Sequence, residues 1–237
     1  MKQVAKSLVI VGAMLAAGSA AADMDMDFHP FVGVDYLHAF MPSKGSITTF
    51  TGRDTINAKN AFRSSFPGAT VYVGSKFADC FGVELGWDSS LSSKKKTATS
   101  PSTSPFAYTY TSKVRREGFH ADLLGFLPMM DCWNLFASLS IGSVKAKISD
   151  QNLASSTASQ AQLSALRAGS PLPLSSKRKS VLRLGVGASY MFTEMFGVRA
   201  KVGYEGTSAL RVKYTNGTSA KAFKDTTTLA VGLFAQF

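Results

Sequence analysis

His120-Ala121-Asp122 sets an imidazole and a carboxylate two residues apart, and a strand would put both on the same face. A base beside its orienting acid could activate a hydroxyl, and Ser138 and Ser140 lie a short way along the chain. That constellation would make a lipid hydrolase or acyltransferase. Histidine and aspartate also hydrogen-bond each other as ordinary interior partners; we take that plainer reading and assign no catalytic residues. The other histidines, His29 and His38, fall at the periplasmic start and the outer end of the first strand and are not placed in a site. Two cysteines, Cys80 and Cys132, without CxxC or HxxxH spacing make no recognised metal-ligand set, so neither metal nor cofactor is expected.

The remaining candidates are charges embedded in alternating runs. Phe196 to Glu205 puts Phe196, Val198, Ala200, Val202 and Tyr204 on one face, and Arg199, Lys201, Glu205 and two glycines on the other. The same period-two split sorts seven further segments. Val32, Val34 and Tyr36 oppose Asp35; Val71, Val73 and Phe77 oppose Tyr72, Gly74 and Lys76. Phe81 to Trp87 oppose Glu84 and Asp88; Phe119, Ala121 and Leu123 oppose His120 and Asp122. Trp133 to Ile141 oppose Ser138 and Ser140, Leu182 to Tyr190 oppose Arg183, and Leu229 to Phe237 oppose Gly232 and Gln236. Eight strands result, their apolar rows carrying aromatics near the ends and most of their opposite rows combining glycine with charge. A soluble core would not bury the charged row, whereas a barrel in lipid must turn its aliphatic row outward and close, so that no backbone group is left unpaired.

The fold class is therefore all-β, an eight-stranded antiparallel up-and-down transmembrane barrel. An interior of that size is only wide enough for side chains to fill. Asp35, Lys76, Glu84, Asp88, His120, Asp122, Arg183, Arg199, Lys201 and Glu205 are predicted to interlock there as a charge network that plugs the lumen, because buried charges need partners. A narrow ion or small-solute path through the same residues is the alternative.

Connections alternate in length. Phe77-Ala-Asp-Cys80-Phe, Met130-Asp-Cys132-Trp and Phe192-Thr-Glu-Met195-Phe repeat one short element, read as tight periplasmic turns. The long links, roughly 41–68, 89–112, 149–180 and 206–225, are read as outer loops. In the third, Leu153, Ala154, Ala161, Leu163 and Leu166 could stripe a short helix. Cys80 and Cys132 fall on neighbouring turns of one rim, where a disulfide would need the turns to lean together. Basic clusters Lys94, Lys95, Lys96 and Lys177, Arg178, Lys179 lie in outer segments.

The amino terminus carries Lys2 and Lys6, an apolar run from Ser7 to Ala17 and small residues through Ala22, the pattern of a secretory signal peptide over residues 1–22 that is cleaved to leave a barrel domain over 23–237. The formal net charge is +11, which in an exported chain points to phosphorylated lipid or sulfated polysaccharide rather than nucleic acid.

On these residues the chain resembles small bacterial outer-membrane barrels of the OmpA/OmpX and opacity-protein type. The resemblance implies an outer-membrane location, a monomer, and a structural or adhesin-like role through extracellular loops, with outer-membrane lipid, lipopolysaccharide and host surface or matrix ligands as partners. It also implies that the closing row Leu229, Val231, Leu233, Ala235 and Phe237 is similar to the signal read by the barrel-assembly machinery.

Overall fold

The computed structural model describes residues 28–44, 46–48, 55–57, 62–77, 80–99, 108–130, 132–154, 159, 161, 176, 178–206, 210–213 and 219–237. The expected signal peptide lies outside them. Among the described residues thirteen strands are present: β1 (Phe28–Phe40), β2 (Ser46–Thr48), β3 (Thr55–Asn57), β4 (Ser65–Phe77), β5 (Phe81–Ser90), β6 (Ser93–Thr99), β7 (Tyr108–Met130), β8 (Trp133–Ala154), β9 (Lys179–Met191), β10 (Phe196–Gly206), β11 (Leu210–Lys213), β12 (Ser219–Phe223) and β13 (Thr226–Gln236).

Eight of these form the barrel, in the order β5-β4-β1-β13-β10-β9-β8-β7, and β7 pairs back onto β5 to close it. Every pairing is antiparallel. Closure is what allows the outer face to be apolar throughout, since no edge is left with unpaired backbone. Val34, Tyr36, Val71, Trp87, Phe119, Val186 and Leu233 are all exposed on that face, and Ile141 reaches 69% exposure, a level that makes sense only against lipid. Among the described residues no helix is long and apolar enough to cross a membrane.

The outer segments differ from the expected long loops. β4 already starts at Ser65, β7 begins at Tyr108, and β8 runs to Ala154, so that β7 and β8 have 23 and 22 residues. β6 continues the line of β5 alongside the outer part of β7, with Ser93 opposite Val114 and Thr99 opposite Tyr108. Two small hairpins, β2–β3 and β11–β12, stand in the first and last outer segments. Leu153 and Ala154, expected on a helix, belong to β8; Leu163 and Leu166 fall outside the described residues. Beyond the lipid neither face has to be apolar, so the backbone ladder continues while the hydropathy alternation that would reveal it fades.

The repeated short element has a backbone meaning. The carbonyl of Cys80 accepts a hydrogen bond from Phe126 N at 2.7 Å, that of Cys132 from Met191 N at 2.9 Å, and that of Met195 from Gln236 N at 2.8 Å. Each turn thus hands its last carbonyl to the neighbouring hairpin, a task that leaves the side chain free to be cysteine or methionine. Cys80 and Cys132 are free and exposed in this structure, and each turn is tied to its own neighbour, β7 for Cys80 and β9 for Cys132.

Candidate functional site

The lumen is filled in layers. Near the outer mouth, Met41, Phe62, Phe66 and Phe223 are fully buried, and Phe223 packs on Phe62 and Phe66 at ring distances of 5.2 and 6.3 Å. Phe66 faces inward from β4, while Phe62 and Phe223 arrive from the outer segments, tied by Lys95 Nζ donating to Phe62 O at 3.2 Å and Lys224 N to Pro42 O at 3.1 Å. Near the periplasmic end Phe31, Tyr72, Leu124 and Phe136 form a second apolar cluster, joined by Phe126 and Phe234.

Between the two lie the charges. In the upper tier Arg116, from β7, donates to Glu205 Oε2 at 2.6 Å and to Asp88 Oδ2 at 3.4 Å. Arg183 meets the same two carboxylates at 2.6 Å each, so two guanidiniums and two carboxylates interlock across the lumen. Thr70 Oγ1 donates to the second oxygen of Asp88 at 2.8 Å. In the middle tier His120 Nδ1 lies 2.6 Å from Asp122 Oδ1, and Lys201 Nζ donates to Asp122 Oδ2 from the opposite wall. In the lower tier Arg199 Nη2 donates to Asp35 Oδ2 at 2.7 Å and Nη1 to Glu84 Oε2, while its guanidinium lies 3.3 Å from the centroid of the Tyr72 ring. Removed from water, each carboxylate is matched by charge-assisted hydrogen bonds, the condition under which buried ions are tolerated.

The predicted lumen residues come together with one displacement. Lys76 is placed at the periplasmic end, with Nζ 5.5 Å from the centroid of the Phe126 ring. Sequence reasoning missed Arg116 and Tyr72 as members. Arg116 is 0% exposed and bridges the upper tier; counting back by twos from His120 on the same strand reaches it.

The hydroxyls expected near His120 do not face it. β7 runs between β5 and β8, and the imidazole leans toward β5, where a methyl group on Gly86 would come within 2.4 Å of its Cε1 and Nε2. Nε2 lies 3.4 Å from Asp88 Oδ1, within ion-pair reach though not aligned as a hydrogen bond. Ser140 pairs with Asp122 on the β8 side, and Ser138 Oγ points toward Gly185 on β9. A Ser-His-Asp relay is therefore not assembled. Glu84, His120 and Asp122 bring one donor atom each within 4.8 Å of one another, a grouping that could hold a metal ion, but Arg199 already engages Glu84, and Lys201 and His120 engage Asp122. A cavity of about 40 Å³ lies below Arg199, lined by Phe31, Tyr72, Leu124 and Phe136 among others.

Of the basic clusters, Lys94 and Lys96 are exposed on β6, whereas Lys95 turns inward to Phe62. Arg178 is exposed and Lys179 opens β9; Lys177 lies outside the described residues. Leu229, Val231, Leu233 and Phe237 are exposed on the outer face and Ala235 is half-buried.

Comparison with known proteins agrees with this architecture. Solved structures with a similar fold include OprG from Pseudomonas aeruginosa, 14% identical with a TM-score of 0.51, over 88% of this chain and 95% of that one. Ail of Yersinia pestis, crystallised with the heparin analogue sucrose octasulfate, is 13% identical with a TM-score of 0.47, over 89% and 99%. Neisserial surface protein A is 11% identical with a TM-score of 0.46, over 89% and 97%. No curated protein sequence matches the chain. The profile of the outer membrane protein beta-barrel domain matches residues 8–237, and the chain belongs to that family.

Proposed function

We propose that the barrel is a sealed membrane anchor and that the protein works at its outer end, as a monomeric structural and adhesin-like surface protein whose extracellular segments meet host surface or matrix ligands. In this reading the chain is exported with loss of residues 1–22, and its closing outward row, Leu229 to Phe237, is read by the barrel-assembly machinery.

The observation that carries the proposal is Arg116: wholly buried, it bridges Glu205 and Asp88 from opposite walls, with an aromatic cap on one side and an aromatic cluster on the other. A path for solute would have to break paired charges in a desolvated interior. The cavity of about 40 Å³ has the size of a water site, not of a solute site. The orientation of His120 away from Ser138 and Ser140 supports a role without catalysis. What the barrel leaves free to interact is the extension of β6, β7 and β8 beyond the lipid, together with the two small hairpins.

In planar bilayers the refolded protein is expected to show no steady conductance, and reproducible open channels would defeat the sealed-anchor part of the reading. The interaction part is tested by binding of the full-length protein to host cells and matrix, against a variant with residues 97–107 and 155–175 each replaced by a short glycine-serine link. The variant should refold, migrate as a folded barrel and lose most of the binding; undiminished binding would overturn the role given to those segments.

A further inference from the structure

The two ends of the lumen carry matching apolar layers but are finished differently. At the outer mouth Phe62 and Phe223, brought in by the connections, are 1% and 0% exposed and fill the space. At the periplasmic mouth the rings stand against the walls instead. Each lies over a glycine of the neighbouring strand: a methyl group on Gly74 would meet the ring of Phe31 at 2.5 Å, on Gly82 that of Phe126 at 3.0 Å, on Gly187 that of Phe136 at 2.4 Å and on Gly197 that of Phe234 at 2.6 Å. The middle stays open as the cavity of about 40 Å³ below Arg199, and Phe126 and Phe234 are only half-buried. A concave apolar patch that meets water is a place for a partner, and this one faces into the barrel, where lipid does not reach it.

Charge and neighbourhood point to the occupant. Among the described residues the lining has two cations, Lys76 and Arg199, and no carboxylate. Arg199 is engaged above by Asp35 and Glu84, so Lys76, with Nζ 5.5 Å from the centroid of the Phe126 ring, sets the sign of the mouth. The turns at this end are committed to their own hairpins through Cys80, Cys132 and Met195. The chain that leads into β1 arrives here too: Asp23-Met24-Asp25-Met26-Asp27, which lies outside the described residues. It supplies three carboxylates for a cationic mouth and two flexible thioethers, which make favourable contacts with aromatic rings.

Reach is sufficient. Eight strands about 4.8 Å apart and tilted by about 40° close into a ring roughly 16 Å across, which puts the barrel axis about 8 Å from Phe28. Two residues span up to about 7 Å, and a methionine side chain covers the rest. The cavity is too small for a solute but takes the sulfur and methyl group of one methionine, about the space of two waters.

We propose that Asp23–Asp27 folds back across the periplasmic mouth as an inner cover, with the Met26 thioether seated between Phe126 and Phe234 and the aspartates beside Lys76. The cover rests on the export proposed above, because residues 1–22 must be removed for this segment to lead the chain.

The test is methyl NMR of the mature protein, taken from outer membranes into detergent micelles with isotope-labelled methionine methyls and checked by intact mass to begin at Asp23. Met24→Leu and Met26→Leu assign the two signals. The Met26 methyl is expected upfield of a solvated methionine, with nuclear Overhauser contacts to the rings of Phe126 and Phe234, and Phe234→Leu should erase most of the shift. Lys76→Gln should lower the ratio of docked to undocked segment by up to about fivefold, the range of one partly exposed ion pair, and added salt should act in the same direction. A Met26 methyl at the solvated position without ring contacts overturns the proposal. So does a Met26 shift that grows with protein concentration, which would assign the mouth to the segment of a second copy. If the isolated protein retains residues 1–22, the export reading fails instead, and the same spectra on protein refolded from Asp23 onward decide the docking. Should Phe234→Leu fail to fold, the ring contacts in wild-type protein still decide the matter.

Discussion

Arg199→Leu is expected to cost about 3–5 kcal/mol of barrel stability, the price of leaving buried carboxylates without their cation. Asp35 and Glu84 are each 1% exposed and both take hydrogen bonds from this one guanidinium. Leucine would also lose the stacking on Tyr72. The midpoint of urea unfolding in lipid vesicles, followed by the gel mobility of the folded form, reads the effect. Arg199→Lys should recover only part of it, because a single ammonium cannot present the fork that serves Asp35 through Nε and Nη2 and Glu84 through Nη1. The informative partner is Arg199→Leu/Asp35→Leu/Glu84→Leu. Replacing a whole buried ion cluster by apolar groups is often neutral or stabilising, so the triple variant should regain most of the loss if volume is matched. A triple variant as unstable as Arg199→Leu would mean that the lower tier sets the register of the strands rather than merely neutralising itself.

The lower tier was also the part of the site most legible in sequence. Asp35, Glu84 and Arg199 lie in segments crossing the lipid, where an apolar outward row makes the inward row stand out by contrast. Arg116 lies on the same strand as His120, but its neighbours Lys113, Arg115 and Glu117 face outward above the lipid and are themselves polar. The contrast vanishes there although the strand and its parity continue, which is why 108–112 read as loop and the alternation is legible only from Phe119. Both apolar ends of the lumen were hidden for the opposite reason. Phe31 and Leu124 are inward residues with the hydropathy of outward ones, and Phe62 and Phe223 come from connections that carry no periodic signal. Period two identifies a face only where the two faces meet different solvents. The repeated turn element illustrates the converse: its cysteines attract a chemical reading, but what repeats is a main-chain carbonyl bonded to the next hairpin.

Gly232→Ala is expected to be far more damaging than its single methyl group implies. Gly232 lies on β13 between Asp35 of β1 and Arg199 of β10, its register partners on either side. The guanidinium reaches Asp35 by passing over this position. A Cβ there would come within 2.1 Å of Val34 O and 2.3 Å of Asp35 Oδ1, the first a main-chain atom of the adjoining strand that cannot rotate away. To admit the methyl group, β1 and β13 must separate along the seam between the first and last strands, and the Arg199–Asp35 pair must lengthen with them. Overpacking alone costs about 1–3 kcal/mol, and the disturbed ion pair adds to it, so a loss of about 3 kcal/mol or more is expected in the same unfolding assay. Gly125→Ala is the control. It too sits within a barrel strand, but a Cβ at that position meets nothing within 4 Å. Its substitution should shift stability by no more than about 0.5 kcal/mol. If the two alanines cost the same, the glycines of the inward rows serve chain flexibility during assembly. If only Gly232→Ala is costly, they are there for space, cleared so that long charged side chains can cross from wall to wall.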